Sequence, residues 1–326
     1  MTEIIGSVER ASAAQFDAVV NLGRRLQEQL GRVLFGSPDA LTAAATSALS
    51  GGHLLIEDVP GVGKTVLAHA LAASLGVQMS RIQGHADLLP SDVTGVSVYS
   101  PDERTWEFRP GPIFAHVVLA DELNRTPPRT QSALLEAMEE GQVTADGRTW
   151  PLPRPHLVIA TQNPVSQRGT YPLVESQLDR FATATTIGYP DADQETRIVR
   201  HQGGRFALDA IGPICTATEW TDAQAVTGAV PVSEAVAAYA VELCRATRTA
   251  PGVELGASPR AAIWLIRSAQ ARAVLAERDF VSPDDVKAAA PGGLAHRLVM
   301  AETAGGLAAG RGVVDRLLES TPTPRP

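Results

Sequence analysis

The sequence predicts an α/β fold in which a parallel sheet, flanked by helices and carrying β-hairpin insertions, is followed by an all-helical domain. Three observations predict it. Val117-Val-Leu-Ala120 and Leu157-Val-Ile-Ala160 are apolar throughout, as strands buried on both faces of a parallel sheet are. A third apolar run, starting at His53, passes through a Pro/Gly turn straight into a helix-period pattern (Val66, Leu67, Ala70, Leu71) that stops at Gly76. Past Gly188-Tyr189-Pro190 strand-like runs disappear and helix starts follow one another. The domain boundary is therefore drawn there, with residues 1–189 as the α/β domain and 190–326 as the helical one.

In chain order, apolar positions at Phe16, Val19, Val20, Leu22, Leu26 and Leu30 predict an amphipathic helix over residues 12–34. A second helix is expected over 38–49, capped by Ser37 with proline in its first turn. Residues 77–83 follow the first strand–turn–helix unit as a strand. Val96-Ser-Val-Tyr99 and Thr105-Trp-Glu-Phe108 alternate on either side of a polar turn and predict a hairpin. Thr126-Pro127 opens a helix through Glu140, and residues 141–152 form a second hairpin turning at Asp146-Gly147. In the helical domain, starts are read at Asp191 with Gln194, Pro231-Val232, Ser258-Pro259 and Ser282-Pro283. Val232, Val236, Tyr239, Ala240 and Leu243 line one apolar stripe, and the proline-rich end, 321–326, is expected to be disordered.

Composition narrows the function classes. The chain has 326 residues, 44% hydrophobic and 20% charged, an ordinary soluble balance with room for two domains. A net charge of −8 without a basic run argues against a nonspecific nucleic-acid binder. Cys215 and Cys244 lie outside any CxxC or Cys/His cluster and read as buried apolar fillers in a reducing compartment. No apolar stretch reaches the roughly 18 residues of a membrane helix, and no basic-then-apolar leader is seen, so a cytoplasmic location without membrane insertion is expected.

The turn after the first strand carries the chemistry. It reads Asp58-Val-Pro60-Gly61-Val62-Gly63-Lys64-Thr65-Val66. Backbone N–H groups, a helix N-terminus and the Lys64 ammonium face one point where phosphates can be held, and the Thr65 hydroxyl can take a Mg2+. The pattern GxxxxGK[ST] fails at one position, because Asp58 stands at the first glycine. Lysine occurs only at Lys64 and Lys287 among 28 Lys+Arg residues, so a chain that avoids lysine still places one where a compact ammonium suits a phosphate. Asp121-Glu122 ends a buried strand. Alone it reads as a solvated strand end; beside Lys64-Thr65, Asp121 can hold a metal's hydration shell and Glu122 can orient a water. Thr161-Gln162-Asn163 ends another strand, and parallel sheets bind ligands at such carboxyl ends.

With these segments in place the chain resembles an AAA+ ATPase, and more narrowly the MoxR family. The ordered set that carries the resemblance includes Asp87-Leu-Leu-Pro-Ser-Asp92, Phe108-Arg-Pro-Gly-Pro-Ile-Phe114, Leu119-Ala-Asp-Glu-Leu-Asn-Arg125, Ala160-Thr-Gln-Asn-Pro164, Gln177-Leu-Asp-Arg-Phe181 and Gly256-Ala-Ser-Pro-Arg260. The resemblance implies a P-loop AAA+ core and helical lid, with ATP on Pro60, Gly61, Val62, Gly63, Lys64, Thr65 and Val66. It puts Mg2+ on Thr65 and Asp121, the attacking water on Glu122, and a γ-phosphate sensor at Asn163. Arg260 is expected to reach the nucleotide from the lid, and Arg180 to be an arginine finger for the neighbouring subunit. Chemistry alone leaves Arg180 equally open to being a surface arginine in a salt bridge. A finger in trans implies a homo-oligomer, by family likeness a hexameric ring. The family's usual client is a separate protein with a von Willebrand factor A domain, met by the two hairpins. Gly84-His85-Ala86 and Arg168 depart from the family pattern.

Two rival readings remain. A slow nucleotide-controlled assembly switch is disfavoured by the intact set Glu122, Asn163, Arg180 and Arg260. A nucleic-acid motor is disfavoured by the acidic balance and by hairpins without basic clusters.

Overall fold

The computed structural model describes residues 11–163, 169–200, 208–301 and 306–324. Helix α1 (Ala13–Val33) starts on a capping box in which Ser12 and Gln15 bond each other's backbone, and it buries Leu22, Leu26 and Leu30. Ser37 stands at the N-cap of α2 (Pro38–Ser50) but makes no cap bond. Its hydroxyl instead donates to the Ile187 carbonyl at 2.6 Å, which ties the start of α2 to the end of the last sheet strand.

Strand β1 (His53–Glu57) and helix α3 (Lys64–Ser74) follow, then β2 (Met79–Gln83) and a short α4 (Pro90–Thr94). The first hairpin is β3 (Gly95–Ser100) with β4 (Thr105–Pro110). Next come β5 (Val117–Asp121), α5 (Pro128–Glu140) and the second hairpin, β6 (Gln142–Ala145) with β7 (Arg148–Pro151). Asp146 and Gly147, at φ 51° and 73°, make the tight turn that an Asp-Gly pair favours. Phe108 stacks on Trp150 at 4.5 Å, which fastens the two hairpins together.

After β8 (Leu157–Gln162) and α6 (Glu175–Leu178) comes β9 (Phe181–Thr185), a strand that the apolar-run criterion passes over. Its Phe-Ala-Thr-Ala-Thr composition is not apolar, yet all five residues are buried. The main sheet runs β2-β5-β8-β1-β9 with every pair parallel. Leu54, Ile56, Leu119 and Ile159 pack one face against α1, α2 and α3, while Leu55, Val118 and Val158 join the core that continues into the helical domain.

Helix α7 (Ala192–Arg200) begins on the expected Asp191–Gln194 box, with Gln194 N–H donating to Asp191 at 2.8 Å. The lid continues with α8 (Ala217–Gly228) and α9 (Glu234–Thr247), the latter capped by Ser233 two to three residues later than Pro231-Val232 suggested. Strand β10 (Val253–Leu255), α10 (Pro259–Leu275), α11 (Pro283–Leu294), β11 (Val299–Met300) and α12 (Gly306–Ser320) complete it. Ser258 and Ser282 cap α10 and α11 as expected. Two corrections follow. The domain is not all-helical, because β10 and β11 pair as an antiparallel ribbon too short for any periodicity to reveal. Nor is the end shapeless from residue 321: Thr321 N–H bonds the Leu317 carbonyl at 2.8 Å, and the chain is described to Pro324, leaving 325–326 outside the described residues. Cys244 is buried and Cys215 half-buried, and burial raises both thiols to about 11, consistent with inert fillers.

Candidate active site

Because the strands are parallel and in register, their polar ends arrive together. Gln83 pairs with Asp121 and Glu57 with Gln162, and the loop leaves β1 at the same level. Gly61 and Gly63 take φ of 90° and 102°, values that side chains resist. Space beside Gly61 is open to 4 Å, so the loop presents bare backbone to whatever lies over it. Lys64 is buried at the start of α3, and its Nζ donates to the Asp58 carbonyl at 2.7 Å. Burial lowers its pKa, and the carboxylates of Asp121, Asp58 and Glu122 oppose that shift.

Asp58 has a role that a glycine there could not fill. One carboxylate oxygen accepts the Val59 N–H at 2.8 Å, and the other accepts the N–H groups of Ile187 and Gly188, each at 2.7 Å. The side chain thus joins the phosphate loop to the segment that leaves the sheet for the lid.

Asp121 is buried and accepts from the Thr161 hydroxyl at 2.7 Å and from Arg81 at 2.6 Å. Glu122 adopts a left-handed backbone (φ 53°, ψ 47°), and its N–H donates to Thr161 Oγ1 at 2.8 Å. Its carboxylate accepts from Asn163 Nδ2 at 3.0 Å and Gln83 Nε2 at 3.2 Å, and faces Arg125 at 3.5 Å. Asn163 is fully buried, braced by Asn124, and its Oδ1 has no hydrogen-bond partner. Thr161, Gln83 and Arg81 were not singled out from the sequence. Thr161 lay inside a quoted motif, whereas Gln83 and Arg81 carry no pattern of their own and become visible only through the β2–β5 pairing.

Arg180 and Arg260 lie elsewhere. Arg180 directly precedes β9, whose start pairs with the start of β1, so it sits at the amino ends of the strands. Five residues of strand at about 3.3 Å each place that end roughly 16 Å from the loop. In this structure Arg260 is engaged by Glu139 at the end of α5 rather than by a residue of the loop. Both guanidiniums share this carboxylate, Arg180 at 3.1 Å and Arg260 in closer contact. Beside them Asp179 is held by Ser258 at 2.8 Å and by the buried Arg297 at 2.8 Å.

Comparison with known proteins decides what this arrangement is. The family described as "ATPase family associated with various cellular activities (AAA)" matches residues 53–183, and "AAA lid domain" matches 245–314. The chain is 37% identical to Chaperone MoxR1 of Mycobacterium tuberculosis, over 83% of this chain and 74% of that one. The chain belongs to the MoxR family of AAA+ ATPases. The uncharacterized protein YeaC of Bacillus subtilis is 46% identical over 88% of this chain and 90% of its own. A crystal structure from Cytophaga hutchinsonii, described as that of "a putative ATPase", superimposes with a TM-score of 0.85 at 35% identity, covering 96% and 98% of the two chains.

A MoxR-family ATPase binds and hydrolyses nucleotide, and the residues present fit that ligand. The open backbone at Gly61 and the buried ammonium of Lys64 suit phosphates. The unpartnered Asn163 Oδ1 is an acceptor that a water held against Glu122 would satisfy. Asp121 suits a divalent ion once Arg81, which is exposed on its other side, gives way. No helix among the described residues is long and apolar enough to cross a membrane.

Proposed function

We propose that this MoxR-family protein is a Mg-ATP-hydrolysing motor that remodels or activates a separate protein client, working as a ring whose active sites are completed between subunits. The observation that carries the proposal is the position of Arg180 and Arg260, side by side on Glu139 at the end of the sheet away from the loop. A guanidinium there serves a neighbour's nucleotide and not its own. Head-to-tail contact brings one subunit's strand amino ends to the next one's loop, and closure of that contact makes a ring.

Each residue then has a task. The loop N–H groups and Lys64 bind the phosphates, with Lys64 exchanging the Asp58 carbonyl for phosphate oxygen. Glu122 accepts a proton from the attacking water, which Asn163 orients through its free Oδ1. Mg2+, when held by Thr65 and Asp121, offsets charge on the phosphate oxygens. Arg180 and Arg260 leave Glu139 and contribute positive charge at the neighbouring γ-phosphate. Exposed Trp106 and Tyr99 on the first hairpin support contact with a protein client, and the family likeness points to one with a von Willebrand factor A domain.

Mixed assemblies test the geometry. Lys64→Ala alone and Arg180→Ala alone are expected to be inactive, and a one-to-one mixture to regain activity because about a quarter of interfaces pair an intact loop with an intact finger. Arg260→Ala mixed with Lys64→Ala is expected to recover in the same way. Recovery with Arg180→Ala but none with Arg260→Ala would return Arg260 to its own subunit's site, and no recovery in verified mixed rings would remove the shared site altogether.

A further inference from the structure

We propose that the cleft where the lid meets the free edge of the sheet is a second binding site, separate from the nucleotide loop, for free phosphate held between Arg272 and Arg311. The cleft lies between α2, β9, α10, α11 and α12 and encloses about 260 Å³. It shares no residue with the loop at 58–66, with Asp121-Glu122 or with Asn163.

Its lining is built for an anion. The Arg272 guanidinium makes no hydrogen bond or ion pair among the described residues, although burial disfavours its charge and only the fields of Asp285, itself bound to Arg278, and Asp39 oppose that. Arg311 reaches Thr186 Oγ1 at a weak 3.4 Å, and its Nε is buried with no partner. Three lining hydroxyls, on Thr46, Thr183 and Ser268, are 2%, 7% and 1% exposed and also have no partner. Buried polar groups are nearly always hydrogen-bonded, so these groups call for partners, and beside two guanidiniums an anion is the partner that fits.

The ligand's shape follows from where these groups come from. Donors approach from a sheet strand, a core helix and two lid helices, a spread that a tetrahedral oxyanion can meet and a flat carboxylate cannot. Guanidiniums are well matched to such oxygens. A volume of about 260 Å³ falls below the roughly 300–1,000 Å³ of pockets that hold drug-sized ligands, which suits a small ion. Asp39 is the acid on the lining. It repels an anion without a proton but accepts a hydrogen bond from hydrogen phosphate, which selects phosphate over sulfate. An ion in this place bonds core and lid together, and ATP hydrolysis releases that ion, so accumulating product would hold the lid against the sheet.

The test is calorimetric titration of inorganic phosphate into the nucleotide-free full chain at constant ionic strength. The expected result is a saturable event that survives Lys64→Ala, weakens at least tenfold in Arg272→Gln and in Arg311→Gln, and is at least tenfold weaker for sulfate. Asp39→Asn is expected to bring the two anions together. Thr183→Val, which removes one hydroxyl at nearly constant volume, is expected to weaken binding severalfold without moving the unfolding midpoint in phosphate-free buffer. No saturable event, or one abolished by Lys64→Ala and kept by Arg272→Gln, would overturn the site. Tighter binding of glycerol phosphate than of inorganic phosphate would overturn the free ion as its ligand.

Discussion

Gly84 has no side chain because the Glu122 carbonyl fills the place where a Cβ would sit, while its own N–H donates to the Asp121 carbonyl at 2.7 Å. A segment that read only as a departure from the family pattern thus supports the left-handed turn at Glu122. Gly84→Ala should shift that turn, lowering kcat at least tenfold while ATP binding stays within about twofold. Unchanged kcat with ATP binding intact would show that the turn tolerates the push. Asp58 teaches the complementary lesson. Its mismatch to the phosphate-loop pattern was legible in the sequence, but its purpose was not, since Ile187 and Gly188 lie about 130 positions away. Lys64, Asp121, Glu122 and Asn163 were legible because each ends a buried strand or opens a helix; Gln83 and Arg81 were not, because only strand pairing brings them in.

At the scale of elements, the four apolar or motif-bearing strands and the capped helices were readable from local pattern. β9 and the β10–β11 ribbon were not, one being threonine-rich and the others too short. The contact of α5 with the sheet is equally silent in sequence, and it turns on one histidine. His53, at the start of β1, accepts the Val158 N–H on Nδ1 at 3.0 Å and faces the Met138 carbonyl with Nε2 at 3.2 Å, a pairing that only the neutral ring with its proton on Nε2 can make. Burial, then the neighbouring His156, lowers its pKa to about 3, and burial lowers His156 to about 4. Between pH 6.5 and these values the unfolded chain binds protons that the native one does not. The histidines' contribution is therefore fully present above pH 6.5 and is lost on acidification, by about 2 kcal/mol each at pH 5. Denaturant unfolding from pH 7.5 to 5 should show this fall, and His53→Asn should make it shallower by about one proton. An unchanged slope in the variant would mean that His53 titrates normally.

For the whole molecule, the nucleotide-binding core and the helical lid were legible, but which residues of the two parts meet was not. Arg260 begins a lid helix and Arg180 precedes a core strand, and only the folded chain sets both on Glu139. Asp179 links these parts, bound by Ser258 and Arg297 of the lid and adjacent to Arg180. Asp179→Asn leaves the buried Arg297 without its counter-charge and loosens the finger, so ATPase activity should fall at least fivefold. If the defect lies in the finger, Lys64→Ala subunits should restore that activity and Arg180→Ala subunits should not. Equal failure with both would mark a folding defect instead.

The separation of loop and finger across the length of one strand also sets a rule of counting. In the proposed ring every subunit carries one half of two different sites, so the number of complete sites there equals the number of contacts between subunits. An open row of subunits always ends in one loop without a finger and one finger without a loop. Only closing the row removes both, so the last contact to form adds a working site where an open end had none.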